Sequence, residues 1–390
     1  MNVLIKSIFI KNRMINKKHI LFFIESLSGG GAERVLVTML KHFDYVKYDI
    51  TLLTLVDDGV LRDEIMEFPI RYMTVIRPSN KPWLKILNKI KYKLIYHWLP
   101  TKLVNRWIIP QNNVDVYVAF AEGFATKLIS YSFQKKITWV HIDLKSYPWT
   151  LHEHIYRNLQ DERNTYNKYN KVICVSKSVE EVMRDYYKLS NTCTIYNPID
   201  IENIRNKAEL DVDVENSSSF KIVSVGRLVP QKGYDKLIPV IAELRKEGYD
   251  INLYIIGEGS ERNKLEQLIS ICNLSESVHL LGFLKNPFPV LKKMDLFVCS
   301  SRAEGFSLVI AEAMVLGLPV VSMKCAGPNE LLDGGKYGLL CDNYRQFYYE
   351  IKRVISSPEL LMSLSLKSKE GSFRFQIHDT LNAVYREIEM

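Results

Sequence analysis

Two carboxylates, Glu304 and Glu312, border the most informative segment of this sequence. The residues after Ser307 read LVIAEAMVLGL, a run that is apolar nearly all round except for Glu312 and therefore predicts a buried helix. A carboxylate buried without a partner is costly, so Glu312 must be paired or face a polar cavity. Glu304 lies just before the helix, whose free N–H groups favour phosphate or sugar oxygens. The pattern favours two acids that bind hydroxyl groups; the alternative is a purely structural pair of Glu312 with a buried arginine.

Two cations follow another predicted strand, KIVSV. Arg227 comes directly after Gly226, and Lys232 comes directly before Gly233. Both are expected at the carboxyl end of a parallel strand, where open α/β sheets bind ligands. Fixed positive charge there suits a departing nucleoside diphosphate, and loss of one such group costs on the order of 3 kcal/mol of barrier. The alternative is a pair of surface cations in a loop.

Three weaker features lie at other predicted strand ends. The glycine turn 29–31 joins a strand to a helix, where the backbone can approach an anion, but the rest of the dinucleotide-binding motif is missing. The turn 257–259 contains Glu258 between two glycines and is unspecific alone. His141 follows the apolar strand KKITWV, although an isolated histidine is more often structural.

Alternating strands and helices must position these residues. The pattern predicts an α/β protein with two doubly wound parallel sheets, each Rossmann-like, and the 390 residues are enough for two domains. The expected divisions are a basic extension (1–18), a first domain (19–200), a polar linker (201–219), a second domain (220–370) and a C-terminal helix (371–390). Strands are predicted at His19–Ile24, Tyr48–Leu55, Val114–Phe120, Lys136–Val140, Lys171–Val175, Lys221–Val225, Ile251–Ile256, Val278–Leu280, Leu296–Cys299 and Pro319–Ser322.

The composition favours a cytoplasmic protein. None of the six cysteines forms a C-x-x-C pair, so we expect reduced thiols, and no cluster of Cys or His predicts a metal site. No apolar run is long enough to span a bilayer. The apolar patch near the start lacks a signal-peptide cleavage site, and Met14 is a rival first residue.

The positive charge of the sequence is local. The net charge is +8, yet residues 77–114 alone contain eight Lys or Arg and no acid. Within them, 81–98 fits a helix with a row of lysines, an apolar face of Leu84, Leu87, Ile90, Leu94 and Trp98, and Lys91 as an exception. Three of the five tryptophans lie in 83–107. This predicts contact between residues 81–107 and an anionic membrane surface on the cytoplasmic face of the inner membrane. The alternative is a surface helix packed on the first sheet.

These motifs together resemble a known family. GGGAERV at 29–35, GRLVPQKG at 226–233, IIGEG at 255–259 and EGFSLVIAE at 304–312 are similar to the retaining glycosyltransferases of family four. That family includes many bacterial polysaccharide, capsule and lipopolysaccharide enzymes. The resemblance covers nearly the whole chain from His19. It implies a GT-B fold, with a nucleotide-sugar donor bound mainly by the second domain, an acceptor bound mainly by the first, and the active site in the cleft between them.

The resemblance also implies roles for single residues. Arg227 and Lys232 match residues that bind the donor diphosphate, Glu304 one that contacts sugar hydroxyls, Glu312 one that contacts ribose, and His141 one that faces the sugar. Glycines at the strand ends and the start of the glutamate-flanked helix complete the donor site. The expected donor-binding set is Gly30, Gly31, Gly226, Glu258, Gly282, Phe283, Leu284, Phe306, Ser307, Leu308 and Glu312. Such enzymes generally need no metal or other cofactor.

The implied reaction is transfer of a sugar to a glycan or polyprenyl-linked acceptor with retention of anomeric configuration. A covalent route would need a carboxylate nucleophile at the anomeric carbon, and the matched carboxylates are assigned to hydroxyl groups instead. The hypothesis is a same-face displacement in which the leaving phosphate helps to deprotonate the acceptor. The alternatives are a nucleotide-sugar epimerase on the same fold, an inactive scaffold, and a basic nucleic-acid-binding protein. The last leaves Glu312 unexplained and shows no recognition motif, so we expect no nucleic-acid partner.

Overall fold

The computed structural model describes residues 17–57, 59–212 and 218–390. They form two compact units. The first runs up to Trp139 and includes Asn164–Lys171, and the second consists of Val140–Arg163 and Val172–Met390. All but the last two residues of the predicted basic extension lie outside the described residues. The domain bounds expected from the sequence stay a prediction, because the units are defined by contacts alone.

The first sheet contains seven strands in the order β3-β2-β1-β4-β5-β6-β7. Strand β1 pairs in parallel with both β2 and β4. Its residues Ile20 to Phe23 are fully buried, as expected of a near-continuous apolar strand covered on both faces. The strands are β1 (Lys18–Ile24), β2 (Tyr48–Val56), β3 (Arg71–Ile76), β4 (Val116–Ala119), β5 (Lys135–Val140), β6 (Lys171–Cys174) and β7 (Thr192–Thr194).

The second sheet contains six strands in the order β10-β9-β8-β11-β12-β13. Strand β8 pairs in parallel with β9 and β11, so the loops after these strands leave the same edge. Apolar residues of the strands and flanking helices form one core, in which Ile222, Leu253 and Val298 are fully buried. The strands are β8 (Phe220–Val225), β9 (Ile251–Ile256), β10 (Val278–Gly282), β11 (Leu296–Cys299), β12 (Val320–Met323) and β13 (Leu339–Cys341).

Seventeen α-helices connect and cover these strands in the described ranges. Within those ranges, none has the length and apolarity needed to span a bilayer. Helices α3 and α8 each continue into a π-helical turn, at Leu94–Trp98 and Val182–Tyr186. The helices are α1 (Gly31–Lys41), α2 (Arg62–Ile65), α3 (Pro82–Lys93), α4 (Thr101–Ile108), α5 (Phe124–Ile129), α6 (Trp149–His152), α7 (Leu159–Tyr166), α8 (Lys177–Glu181), α9 (Ile201–Ala208), α10 (Tyr234–Lys246), α11 (Arg262–Ile271), α12 (Phe288–Lys292), α13 (Leu308–Val315), α14 (Ala326–Leu331), α15 (Tyr344–Ile355), α16 (Pro358–Ser372) and α17 (Ile377–Glu389).

The two doubly wound parallel sheets predicted from the sequence are confirmed. Every predicted strand is present, but β3, β7 and β13 were not predicted. Strand β3 is an edge strand with only one buried residue, and the other two have three residues each, so their apolar patterns are weak. The polar stretch after Asp200 begins with α9, where the Asp200 side chain accepts the Asn203 N–H as an N-cap. The stretch that the sequence indicated only as a polar linker therefore starts with a helix.

Candidate active site

Lys232 and Glu304 form a close ion pair at the carboxyl edge of the second sheet. Their Nζ and Oε1 atoms lie 2.5 Å apart, and both side chains are mostly buried. Lys232 ends the 3₁₀ turn Pro230–Lys232 after β8, and Glu304 lies in the loop between β11 and α13. Because β8 and β11 are neighbours, their following loops meet. The topology therefore joins two residues that are 72 positions apart in the sequence.

Gly233 permits this close approach of the two loops. Its φ is +70°, and a Cβ atom there would lie 2.2 Å from the Ser300 carbonyl oxygen and 2.8 Å from the Tyr344 hydroxyl. The Ser300 hydroxyl donates to the Lys232 carbonyl at 2.8 Å. A side chain at position 233 would push the lysine loop away from β11, so the glycine that flanks Lys232 is required by the backbone.

The ion pair keeps Lys232 charged. Burial lowers the pKa of Lys232, but the Glu304 carboxylate raises it, and the result lies above the ordinary value for lysine. The exposed Arg227 is near enough to oppose protonation of Lys232 and adds to the same positive field. Glu304 Oε1 also accepts the Ser301 hydroxyl at 2.7 Å. The edge thus presents two cations and one oriented carboxylate.

The backbone of His141 lies directly beside Gly305. A Cβ atom on Gly305 would be 2.1 Å from the His141 carbonyl oxygen, so only glycine fits there. The Gly327 N–H donates to the Glu304 carbonyl at 2.9 Å and holds the other side of the same loop. Although His141 is far from Glu304 in the sequence, both belong to the second compact unit. The structure therefore brings His141 to the loop that carries Glu304.

The start of α13 contains an unsatisfied polar group. Ser307 occupies the N-cap position, yet its Oγ is buried and, among the described residues, has no hydrogen-bond partner. Phe306 packs its ring against Phe375, with the two ring centroids 5.3 Å apart. Leu308, Val309 and Glu312 are only partly buried, so the prediction of a helix buried all round is wrong at these three residues. A helix N-terminus with an unused hydroxyl is suited to an anion.

Glycine-rich loops after β8, β9 and β10 converge beside the cations. A Cβ atom on Gly257 would lie 2.0 Å from the Gly226 carbonyl oxygen, and one on Gly282 would lie 3.0 Å from Glu258 Oε1. The Glu258 carboxylate is paired with Arg262 at 2.6 Å. Next to Gly282, the structure leaves the Phe283 ring half-exposed and Leu284 partly exposed. These predicted donor-binding residues therefore share one edge with Arg227 and Lys232.

Gly30 and Gly31 belong to the other compact unit, at the carboxyl edge of the first sheet. Gly30 is the N-cap of α1, and its carbonyl accepts the Arg34 N–H at 3.0 Å. A Cβ atom on Gly30 would lie 2.4 Å from Glu33 Oε2, so the Glu33 carboxylate covers this turn. Negative charge there opposes phosphate binding at the turn in this conformation.

One feature of the first unit was missed from the sequence. The Glu25 carboxylate, at the end of β1, accepts hydrogen bonds from the Tyr96 hydroxyl and the Ala125 N–H. Burial raises its pKa to about 7, and the nearby carboxylates of Glu122 and Glu33 add to the increase. The sequence contained a signal for this residue, because Glu25 directly follows the apolar run 20–24 of β1, and ligands are expected at the end of such a strand. A carboxyl that is half-protonated near neutral pH marks a functional-site candidate.

Two sequence families match the chain. The glycosyl transferases group 1 model matches residues 206–370, and the glycosyltransferase family 4 model matches residues 29–203. One relative is the N-acetylgalactosamine-N,N'-diacetylbacillosaminyl-diphospho-undecaprenol 4-alpha-N-acetylgalactosaminyltransferase of Campylobacter jejuni. It is 30% identical over 362 residues, which cover 90% of this chain and 94% of the relative.

Solved structures share the fold. Anabaena HepE in complex with UDP-glucose has a TM-score of 0.72 at 20% identity, with 95% of this chain and 99% of that one covered. TarM of Staphylococcus aureus has a TM-score of 0.74 at 16% identity, with 96% and 99% covered. Both neighbours support the predicted GT-B class. With the family matches and the full-length relative, these findings show that the chain belongs to the group 1 glycosyltransferases, enzymes that transfer sugar residues.

Proposed function

We propose that the protein moves a sugar from a nucleoside-diphosphate sugar to a glycan or lipid-linked acceptor in cell-surface polysaccharide synthesis. The observation that carries the proposal is the Lys232–Glu304 pair, a mostly buried cation and acid in contact at the carboxyl edge of the sheet, where open α/β sheets bind ligands. Lys232 and Arg227 would bind the diphosphate, and Glu304 would accept hydrogen bonds from sugar hydroxyls. The Ser307 hydroxyl has no hydrogen-bond partner in the part of the chain that the structure describes, and it would contact the phosphates together with the backbone of Phe306 and Leu308.

The proposed reaction retains the anomeric configuration. The bond from the anomeric carbon to the diphosphate oxygen breaks, and the acceptor oxygen bonds to that carbon on the same face. The acceptor proton passes to the departing phosphate oxygen. The two cations stabilise the negative charge that develops on the diphosphate as the bond breaks. Fixed charges of this kind usually make the largest single contribution to catalysis. His141, held beside Gly305, would face the sugar.

We propose that the reaction needs no metal ion. Lys232 and Arg227 supply at the diphosphate the positive charge that a metal would otherwise give. Among residues 17–57, 59–212 and 218–390, no group of three or more His, Cys, Asp or Glu side chains is arranged to hold a metal ion. The base of the donor would lie near Gly282 to Leu284, with Glu312 on the ribose. Uridine donors come first in the test, because HepE was solved with UDP-glucose.

Two assays test this function together. Calorimetry with uridine, guanosine and adenosine diphosphate sugars, in EDTA, is expected to give tight binding of one donor. With that donor, of defined anomer, and lipid-linked glycans as acceptors, NMR of the product is expected to show the donor's configuration. An inverted product would overturn the same-face route. Donor that changes its sugar in the absence of any acceptor would favour the epimerase instead.

We also propose that the acceptor is bound at a membrane surface, through residues 81–107. The relative from Campylobacter jejuni is named for a diphospho-undecaprenol substrate, a lipid. In this chain, α3 has no buried residue, and apolar side chains of 81–107 point to solvent. The exposed large apolar residues there are Trp83, Ile86, Leu87, Ile90, Trp98, Leu99, Leu103 and Trp107. An apolar surface surrounded by cations and free of acids suits anionic lipid.

Charge reversal on this surface should detach the protein from vesicles. Lys85→Glu with Lys89→Glu, both exposed on α3, is expected to weaken binding to anionic vesicles by about 30-fold or more, because each lysine contributes about 1 kcal/mol near such a surface. Vesicle sedimentation measures the change. Lys236→Glu with Lys246→Glu, exposed on α10, alters the net charge equally and serves as the control. Equal losses in both variants, or no loss in either, would contradict the proposal.

A further inference from the structure

A cavity of about 490 Å³ lies between the end of β3 and the inward face of α3. Its walls include Thr74, Arg77 and Ser79 from the strand end and the loop after it, and Leu84, Asn88 and Lys91 from the helix. Strand β3 runs parallel to β2, so the cavity lies at the carboxyl edge of the first sheet. That edge is where open α/β sheets bind ligands, and the volume is within the usual range for small-molecule sites.

Cations and hydrogen-bond donors line the cavity together with the apolar Val75, Pro78 and Leu84, and no acid is among its lining residues. Lys91 Nζ donates to the Val75 carbonyl at 2.6 Å, a bond that points the ammonium at the strand end, and it also lies 5.9 Å from the centroid of the Trp107 ring. Arg77 is exposed at the mouth. Asp57, whose N–H bonds the Ile76 carbonyl, has its carboxylate paired with Arg62 at 2.8 Å. The local field is therefore positive.

Helix α3 is oriented against the usual rule for a surface helix. Its polar residues Asn88 and Lys91 face the protein, and Asn88 Nδ2 donates to the Arg77 carbonyl at 2.7 Å. Its apolar residues Ile86, Leu87 and Ile90 are exposed instead. A helix whose stability came from packing would bury its apolar face. In the observed orientation, the helix gives up the stability that burial of its apolar side chains would provide. A site for a polar ligand would explain why its polar residues face inward instead.

We propose that this cavity binds the phosphate or diphosphate group of a prenyl-linked acceptor. The inference rests on the proposed lipid-linked acceptor and names the part of this chain that would hold its charged group. Arg77 and Lys91 would contact phosphate oxygens, and the Ser79 hydroxyl would donate to them. Leu84 forms the apolar wall, and its helical neighbours Trp83 and Leu87 lead to the exposed apolar surface. The prenyl chain would follow that surface.

The test compares two soluble probes, inorganic pyrophosphate and farnesyl diphosphate, by calorimetry on the full chain. Arg77→Gln with Lys91→Gln is expected to weaken farnesyl diphosphate binding by about tenfold or more, since two charged contacts are lost. Lys236→Gln with Lys246→Gln changes two exposed lysines of α10, outside both the cavity and residues 81–107, so it is the matched control and should retain this binding. Because Lys91 also bonds the backbone, Arg77→Gln alone is measured as well, with the unfolding temperature of each variant.

The donor site also binds diphosphates, so Lys232→Ala separates the two sites. Binding that is lost in the Arg77 and Lys91 variant but kept in Lys232→Ala belongs to the cavity. Tighter binding of farnesyl diphosphate than of pyrophosphate supports a prenyl-linked ligand. Equal binding of the two probes indicates that the cavity recognises phosphate alone and overturns the lipid assignment. If the folded Arg77 and Lys91 variant binds both probes like the wild type, the cavity proposal fails. Loss of nucleotide-sugar binding in Lys232→Ala would still support the transferase.

Discussion

Replacing Lys232 by methionine is expected to lower kcat/KM for sugar transfer by about 10²- to 10³-fold. The lysine is the buried cation of the proposed donor site, and removing one preorganised charge from a developing anion typically has an effect of this size. The substitution also leaves the Glu304 carboxylate buried without its partner, which destabilises a protein by about 3 to 5 kcal/mol. Activity and unfolding are therefore measured on the same preparation, at a temperature where the variant is folded.

The control is Lys236→Met, which removes an exposed lysine from the same part of the chain. It should change neither the donor affinity nor the unfolding midpoint, because surface substitutions usually stay within about 0.5 kcal/mol. If Lys232→Met transfers sugar at the wild-type rate while folded, the pair is structural and the proposed site is wrong.

The ligand dependence separates the two members of the pair. If Lys232 binds the diphosphate, Lys232→Met weakens the binding of both the free nucleoside diphosphate and the nucleotide sugar. Glu304→Gln keeps an acceptor for the Ser301 hydroxyl and removes the charge. Because Glu304 is assigned to the sugar hydroxyls, this variant should weaken only the binding of the nucleotide sugar. Calorimetry with both ligands gives this comparison. Weaker binding of the free diphosphate to Glu304→Gln would contradict the assignment of the carboxylate to sugar hydroxyls.

The second sheet and its edge could be predicted because their signals are local. Strands that are mostly apolar, such as Ile251–Ile256, are buried on both faces and stand out from polar loops. Gly233 is required by a positive φ and by a close contact with the Ser300 backbone. Because it directly follows Lys232, the sequence itself marks the turn that holds this lysine. What the sequence could not give was the contact of Lys232 with Glu304, which depends on β8 and β11 being neighbours.

The orientation of α3 was predicted only in part. The lysine row and the tryptophans indicated a helix with two faces, but the sequence left open whether its apolar side packs on the sheet. In the structure, Leu87 and Ile90 are exposed, and Lys91, the exception in the pattern, bonds the end of β3. Hydrophobic periodicity assumes that the apolar side faces the protein. A side chain that serves a ligand or a membrane breaks this assumption.

Replacing Glu25 by glutamine is expected to stabilise the protein above neutral pH. Burial and the nearby acids raise the pKa of this carboxyl to about 7 from its ordinary 4.5, so the folded state holds a proton that the unfolded state releases. The stability associated with that proton is fully present below pH 4.5 and is lost as the pH rises through 7. The difference amounts to about 3 kcal/mol. Glutamine is uncharged and can still accept from Tyr96 and Ala125.

Chemical denaturation at pH 5 and pH 8 measures this effect. The gain in free energy of unfolding should be large at pH 8 and small at pH 5, where folded Glu25 is already protonated. Glu67→Gln, an exposed acid of the same unit, is the control and should show no such dependence. A gain of equal size at both pH values would contradict the assigned pKa.

The same variant shows why such a costly acid would be kept. The Tyr96 ring that bonds Glu25 stacks on Phe124 at 4.5 Å and on Tyr92 at 5.2 Å, and it lies in the π-helical turn after α3, a distortion common at functional sites. Helix α3 therefore places Lys91 at the end of β3, and the π-helical turn that continues it places Tyr96 beside Glu25 at the end of β1. If Glu25→Gln is more stable but transfers sugar more slowly, the acid is retained for function at the expense of stability.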